Sequence, residues 1–201
     1  MKRASGAFLA IVTLIGLVFG GFLLSGPSSV STSQAVDTTL LYRSFSPISG
    51  NPNSAIKIVV FSDYLCPYCK KAHEALDDVI SKYSDQVSVY HRNLIIHDTA
   101  EIFVKSALAA DVQGKFGEFD RVLFERDLEP TEDAMLTIAA ELGLDIEKFK
   151  NTLHSKEIDN IIAQDQEDAL ALQVMGTPTL YLNNELLDDF STLPEQIEAL
   201  I

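Results

Sequence analysis

Cys66 and Cys69 are the only cysteines of the chain, and Pro67 and Tyr68 are all that separates them. Thiols at this spacing have three uses. They can form a redox couple, in which one sulfur exchanges with an outside thiol and the other resolves the mixed disulfide. They can close an inert structural disulfide. They can also supply half of a metal site, with His73 following at ligand spacing, although zinc normally takes four ligands and no second cysteine pair exists. A second stretch with chemical potential is Met175-Gly176-Thr177-Pro178. A Thr-Pro bond can be cis at modest cost, which would leave the Thr177 main chain free to pair with an extended peptide. An ordinary trans turn is the alternative.

The redox use needs an element that tells the two sulfurs apart. Ile56 to Ser62 is a nearly continuous apolar, β-branched run, the pattern of a central strand buried on both faces. After Cys66, Ala72, Leu76, Val79, Ile80 and Tyr83 form a helical stripe. Cys66 therefore falls at the junction of strand and helix, beside the unpaired N–H groups of the first turn. Their partial positive charge favours thiolate, so the Cys66 pKa should fall. Cys69 lies one turn further in, on the same side and more shielded. Pro67 is tolerated in a first turn, where its N–H has no intrahelical partner to lose. Cys66 is the expected exchanging sulfur and Cys69 the resolving one.

A second strand is predicted over Gln86 to Ile95, parallel to the first across a β-α-β unit. A long helical stretch follows, from about Thr99 to Val174. Asp98 or Thr99, Thr131 and Asp145 are candidate caps within it, and Gly143 a helix end. Its apolar stripes read as core. Two short strands around Asn183-Asn184 form a hairpin signal, and a helix with Pro194 in its first turn closes the chain. The predicted fold class is α/β, interrupted by a helical subdomain.

Residues 1–35 differ in kind. Lys2 and Arg3 precede Ala7–Leu24, a run without charge. As a helix it spans about 27 Å, close to the hydrocarbon thickness of a bilayer. The expectation is an uncleaved signal-anchor over 1–24, with a tether and N-terminal extension over 25–50. A cleaved signal is the alternative, with Ser33-Gln34-Ala35 as its nearest small-residue site. Both place the folded part outside the cytoplasm. That part carries 13 bases against 29 acids, a charge of −16 within the −14 of the whole chain. Such a surface repels phosphates, so no nucleic-acid partner is expected. His91 and His97, near the end of the second strand, read as structural or solvated.

The segments Gly50–Leu76 and Val174–Leu187, in this order around a helical insert, resemble the DsbA-like branch of the thioredoxin superfamily. The resemblance covers residues 51–201 and implies a thioredoxin fold with a helical insertion over about 99–174. It implies a cis Pro178 beside the dithiol, with Thr177 and Pro178 docking substrate peptide. It gives Cys66 the role of exposed nucleophile and Cys69 that of resolving thiol, with Pro67 and Tyr68 tuning the potential. It implies no metal and no cofactor beyond the Cys66–Cys69 disulfide. Reduced, unfolded exported proteins are the implied substrates, and a quinone-linked membrane protein the implied redox partner. One departure stands out: many thioredoxin-like proteins carry a buried acid six residues before the first cysteine, and here that position is Val60. Asp63 is closer, at a different place on the strand end. A reductase or isomerase, or a peptide-binding chaperone, would use the same parts differently.

Overall fold

The computed structural model describes residues 36–201, so the expected membrane segment over 1–24 and the tether up to residue 35 lie outside the described residues. Among the described residues no helix is long and apolar enough to cross a membrane. In chain order the elements are α1 (Thr38–Leu41), β1 (Ile48–Gly50), β2 (Ile56–Ser62), α2 (Pro67–Tyr83) and β3 (Val87–Asn93). The insert follows as α3 (Glu101–Asp111), α4 (Phe116–Glu125), α5 (Glu132–Glu141), α6 (Ile146–Leu153) and α7 (Lys156–Ala171). The chain ends with β4 (Thr179–Leu182), β5 (Glu185–Leu187) and α8 (Leu193–Glu198).

The five strands form one sheet in the order β1-β3-β2-β4-β5. β2 and β3 run parallel, while β4 pairs antiparallel with β2 and with β5. The unbroken apolar run of β2 follows from its central place, because the pleat sends alternate residues to opposite faces and both are covered. Ile58 and Val60 pack with Ala72, Leu76 and Val79 of α2 and with Leu193 and Ile197 of α8. Val59 and Phe61 face the other way, onto Leu41 of α1 and Ala169 of α7. The insert has its own core, built on Phe103, Phe119, Met135, Ile138, Phe149 and Leu153. This is a thioredoxin fold with a helical insertion.

Local sequence explains most element ends. Thr131 and Asp145 cap α5 and α6 as expected, and Ser155 caps α7. Gly143 and the pair Asn183-Asn184 take positive φ, the latter turning the hairpin between β4 and β5. The expected cap at Asp98 or Thr99 is replaced by a 3-10 turn over Asp98–Ala100, which runs straight into α3 with no side-chain cap. Its N–H groups are met by the turn itself, Ala100 N donating to His97 O at 2.8 Å.

The extension before the predicted domain joins the packed unit from Val36 onward. β1 lies antiparallel on β3 at the sheet edge, ending at Gly50 with φ +82°. A Cβ there would collide with the Val87 carbonyl oxygen, so glycine is required on two counts. α1 is held from behind the sheet by Arg92, which is wholly buried. Its guanidinium lies 2.6 Å from both Asp165 Oδ1 and Asp168 Oδ2 on α7 and donates to the Leu40 and Leu41 carbonyls. Arg43 closes the cluster on Asp168.

Candidate active site

Cys66 is the N-cap residue of α2, in extended backbone, and Pro67 opens the helix. The loop from β2 is pinned by Asp63, whose buried carboxylate accepts from Leu65 N at 2.8 Å, Ile96 N at 2.8 Å and His97 N at 2.9 Å. This one side chain ties the strand end that carries the cysteines to the segment leaving β3. Asp63 serves the sulfurs through its main chain, its N–H lying 3.4 Å from Cys69 Sγ. Val60, at the position of the missing acid, is 3% exposed and packs in the core.

Both cysteines are free thiols in this structure, and their sulfurs are close enough to share a hydrogen bond. Their environments differ. Burial pushes the Cys69 thiol up to about 12, against the opposing pull of the Asp63 N–H and the Thr177 hydroxyl. Burial also raises Cys66, but there it is outweighed and the pKa falls below its ordinary value. The Thr177 hydroxyl, the Cys69 N–H and thiol, and the Tyr68 N–H draw it down. No side-chain capping bond closes at this sulfur, so the first-turn N–H groups act on it as dipoles.

The Thr177–Pro178 bond is cis, as the resemblance implied. The Thr177 carbonyl accepts from the Cys66 thiol at 3.4 Å. Its hydroxyl is buried without a regular hydrogen-bond partner and lies near both sulfurs, where it favours thiolate in each. Thr179 Oγ1 donates to Gly176 O at 2.7 Å and pins the turn. The structure thus brings Cys66, Cys69 and Thr177-Pro178 together. Pro67 and Tyr68 lie at the surface beside them, Tyr68 63% exposed. Met175, ahead of the cis turn, is 93% exposed.

Several neighbours were not legible beforehand. A groove of about 330 Å³ runs beside Cys66, lined by Tyr64, Pro67, Phe103, Phe124 and Leu128. Phe124, from the insert, shares one buried apolar cluster with the two cysteines. His73 lies between Asp77 and Asp120, its two ring nitrogens at 3.3 Å from one carboxylate each. Among the described residues no group of three or more His, Cys, Asp or Glu side chains is placed to hold a metal ion. His91 packs on Phe116 and meets Ser49 Oγ at 3.0 Å, and half-exposed His97 lies 3.2 Å from Asp63. A larger cavity, about 660 Å³, opens between β5 and α8 and holds none of the predicted site residues.

A buried strand thus delivers two unequal thiols to a helix N-terminus, beside a cis-proline turn. A family profile described as thioredoxin matches residues 44–201, and the chain belongs to that family. A thioredoxin-like oxidoreductase from Silicibacter pomeroyi superposes with a TM-score of 0.72 at 28% identity, over 82% of this chain and 97% of that one. The thiol-disulfide exchange protein α-DsbA2 of Wolbachia pipientis shares the fold at a TM-score of 0.74 and 24% identity, over 82% of this chain and 91% of that one. Among curated sequences, the Na(+)/H(+) antiporter NhaA 1 of Mycolicibacterium vanbaalenii is 30% identical over 182 residues, 85% of this chain. Those residues make up 29% of the antiporter, so the transport in its name is not carried to this chain.

Proposed function

We propose that this protein oxidises cysteine pairs in reduced, unfolded exported proteins, with Cys66 and Cys69 as its catalytic residues. A substrate thiolate attacks Cys66 Sγ and the Cys66–Cys69 bond breaks, Cys69 leaving and taking up a proton. The second substrate thiolate then attacks the substrate sulfur of the mixed disulfide. A substrate disulfide forms and Cys66 leaves as thiolate. Two electrons pass to the protein, and a quinone-linked membrane partner accepts them in turn. The chemistry needs no metal or further cofactor. Thr177 and Pro178 dock the substrate backbone, and Pro67 and Tyr68 tune the potential.

The observation that carries this reading is the split between the thiols. A lowered Cys66 pKa stabilises the reduced form and so makes the disulfide an oxidant. The domain, residues 51–201 with its insertion over 99–174, works outside the cytoplasm. A signal-anchor over 1–24 holds it to the membrane through the 25–50 segment, which from Val36 onward is packed on the domain. Charge disfavours nucleic acid as a partner.

The deciding measurement is the reduction potential of the Cys66–Cys69 couple. A value near about −120 mV supports an oxidase, and one near about −270 mV a reductase. Cys66→Ala should abolish oxidation of a reduced, unfolded substrate. Peptide binding that survives loss of both thiols, with no exchange activity in the intact protein, would instead mark a chaperone.

A further inference from the structure

Beneath the dithiol lies a cluster that the exchange chemistry leaves unused. Asp120 of α4 accepts from the Tyr64 hydroxyl at 2.7 Å, and its other oxygen lies 3.3 Å from His73 Nδ1. His73 Nε2 faces Asp77 at 3.3 Å without a well-aligned hydrogen bond, and Arg121 of α4 lies 3.4 Å from the same carboxylate. Phe124 is four residues beyond Asp120 on one face of α4. Its ring sits between the other two aromatic members, 4.5 Å from His73, stacked at 28°, and 4.7 Å from Tyr64. Tyr64, Asp120, His73 and Phe124 therefore close a ring across three segments: the loop before Cys66, the helix after it, and the insert. Phe124 clusters with the two cysteines and is, with Tyr64, a wall of the groove.

We propose that His73 is a positioning residue for peptide substrates: in its protonated form it holds Phe124 against the dithiol and so fixes the groove wall beside Cys66. This rests on the thiol-disulfide exchange function above. An imidazolium on the Phe124 face gains a cation–π contact and satisfies two carboxylates at once. A neutral imidazole keeps one ring N–H and loses the cation. Burial opposes the charge on His73, but Asp77 and Asp120 outweigh it and hold the pKa above the ordinary value, against a smaller push from Arg121. His91 on β3 also faces the cluster; burial holds its own pKa down, and it stays neutral at neutral pH. The Tyr64 hydroxyl stays protonated, pushed well above its ordinary range by burial and by Asp120. His73 is thus the member whose charge the neighbouring carboxylates favour. The grip on Phe124 is complete at low pH and is released as pH rises through the His73 pKa.

The test is single-turnover oxidation of a cysteine-pair peptide by the full-length protein across pH, each value divided by that for dithiothreitol, which is too small to need the wall. The expected wild-type result is a half-saturating peptide concentration that rises about fivefold through the His73 titration, the effect of losing one cation–π contact, with the maximal rate little changed. His73→Gln should give the high value at every pH, with no step. Asp77→Asn, a change at a partly exposed side chain, should move the step to lower pH. Should His73→Gln not fold, the Asp77→Asn shift decides. A step at the same pH in wild type and Asp77→Asn, or no step in the wild type, overturns the proposal. A wild-type protein that oxidises neither dithiol overturns the function and the proposal with it.

Discussion

Reduce the protein and offer it limiting iodoacetamide at neutral pH, and Cys66 should take almost all the label. Alkylation goes through thiolate, so selectivity follows the two pKa values and access. Cys66 lies below 9.0 and Cys69 at about 12, a gap of more than about 3 units. Well below both values that gap means at least about 10³-fold more thiolate at Cys66. The Cys69 thiolate, once formed, is the stronger nucleophile. With a Brønsted coefficient of about 0.5, three units return roughly 30-fold of that advantage. Cys66 should therefore react at least about 30-fold faster, before the tighter burial of Cys69 adds to the difference. Digestion and mass spectrometry read the two sites separately. The Cys66 rate should climb with pH to a midpoint below 9.0. Comparable labelling of the two cysteines, or a Cys66 midpoint at or above the ordinary value, would refute the division of labour.

Thr177→Val removes the hydroxyl that favours thiolate at both sulfurs, so the Cys66 midpoint should move up and its alkylation at neutral pH slow about three- to tenfold. Arg92→Met leaves Asp165 and Asp168 buried without their shared cation and should cost about 3–5 kcal/mol in urea unfolding. Gly50→Ala must force a left-handed backbone and a clash with the Val87 carbonyl, a loss of about 2 kcal/mol or more in the same assay. Burial raises Asp168, but Arg43 and Arg92 outweigh it and its pKa is depressed. Its stabilisation is therefore full above the ordinary 3.8 and is lost as pH falls through the lower folded value. Limited proteolysis around Arg43 should accelerate on that acid limb; a flat response would place the hold on this segment elsewhere.

Local pattern carried the sheet centre, the caps and the dithiol because each is a short-range effect. Ile56–Ser62 could be placed to the residue, since a strand covered on both faces leaves an unbroken apolar run. Thr131 and Asp145 cap through side chains three residues from their partners. β1 escaped because three residues that follow Pro47 and end on Gly50 carry no period, and only pairing with β3 makes them a strand. The Arg92 cluster left a trace: a charged residue in a strand otherwise buried must find buried partners, and Asp165 and Asp168 stand three apart on one helix. Neither the Phe124 wall nor the Asp120 bridge left one. Phe124 sits in an apolar stripe shared with insert core residues, and what sets it apart is the packing of the insert onto α2.

The absent acid at Val60 has a physical consequence for direction. A carboxylate beside Cys69 would take its proton and ready it to attack the mixed disulfide from within. Here Cys69 meets a main-chain N–H, the Thr177 hydroxyl and the other thiol, none of them a proton acceptor of carboxylate strength, and the neighbouring carboxylate is occupied by three other N–H groups. At neutral pH its thiolate is scarce, so return attack on Cys66 is slow. In the proposed oxidation, the substrate's second cysteine, with an ordinary pKa near about 8.5, offers far more thiolate and expels Cys66, the better leaving group. The same asymmetry burdens the first step, because Cys69 must leave when substrate attacks, and the Asp63 N–H and Thr177 hydroxyl are the donors in place to receive that charge. Thr177→Val should accordingly slow the first substrate attack as well as raise the Cys66 midpoint. A variant in which only the midpoint moved would show that the hydroxyl serves Cys66 alone.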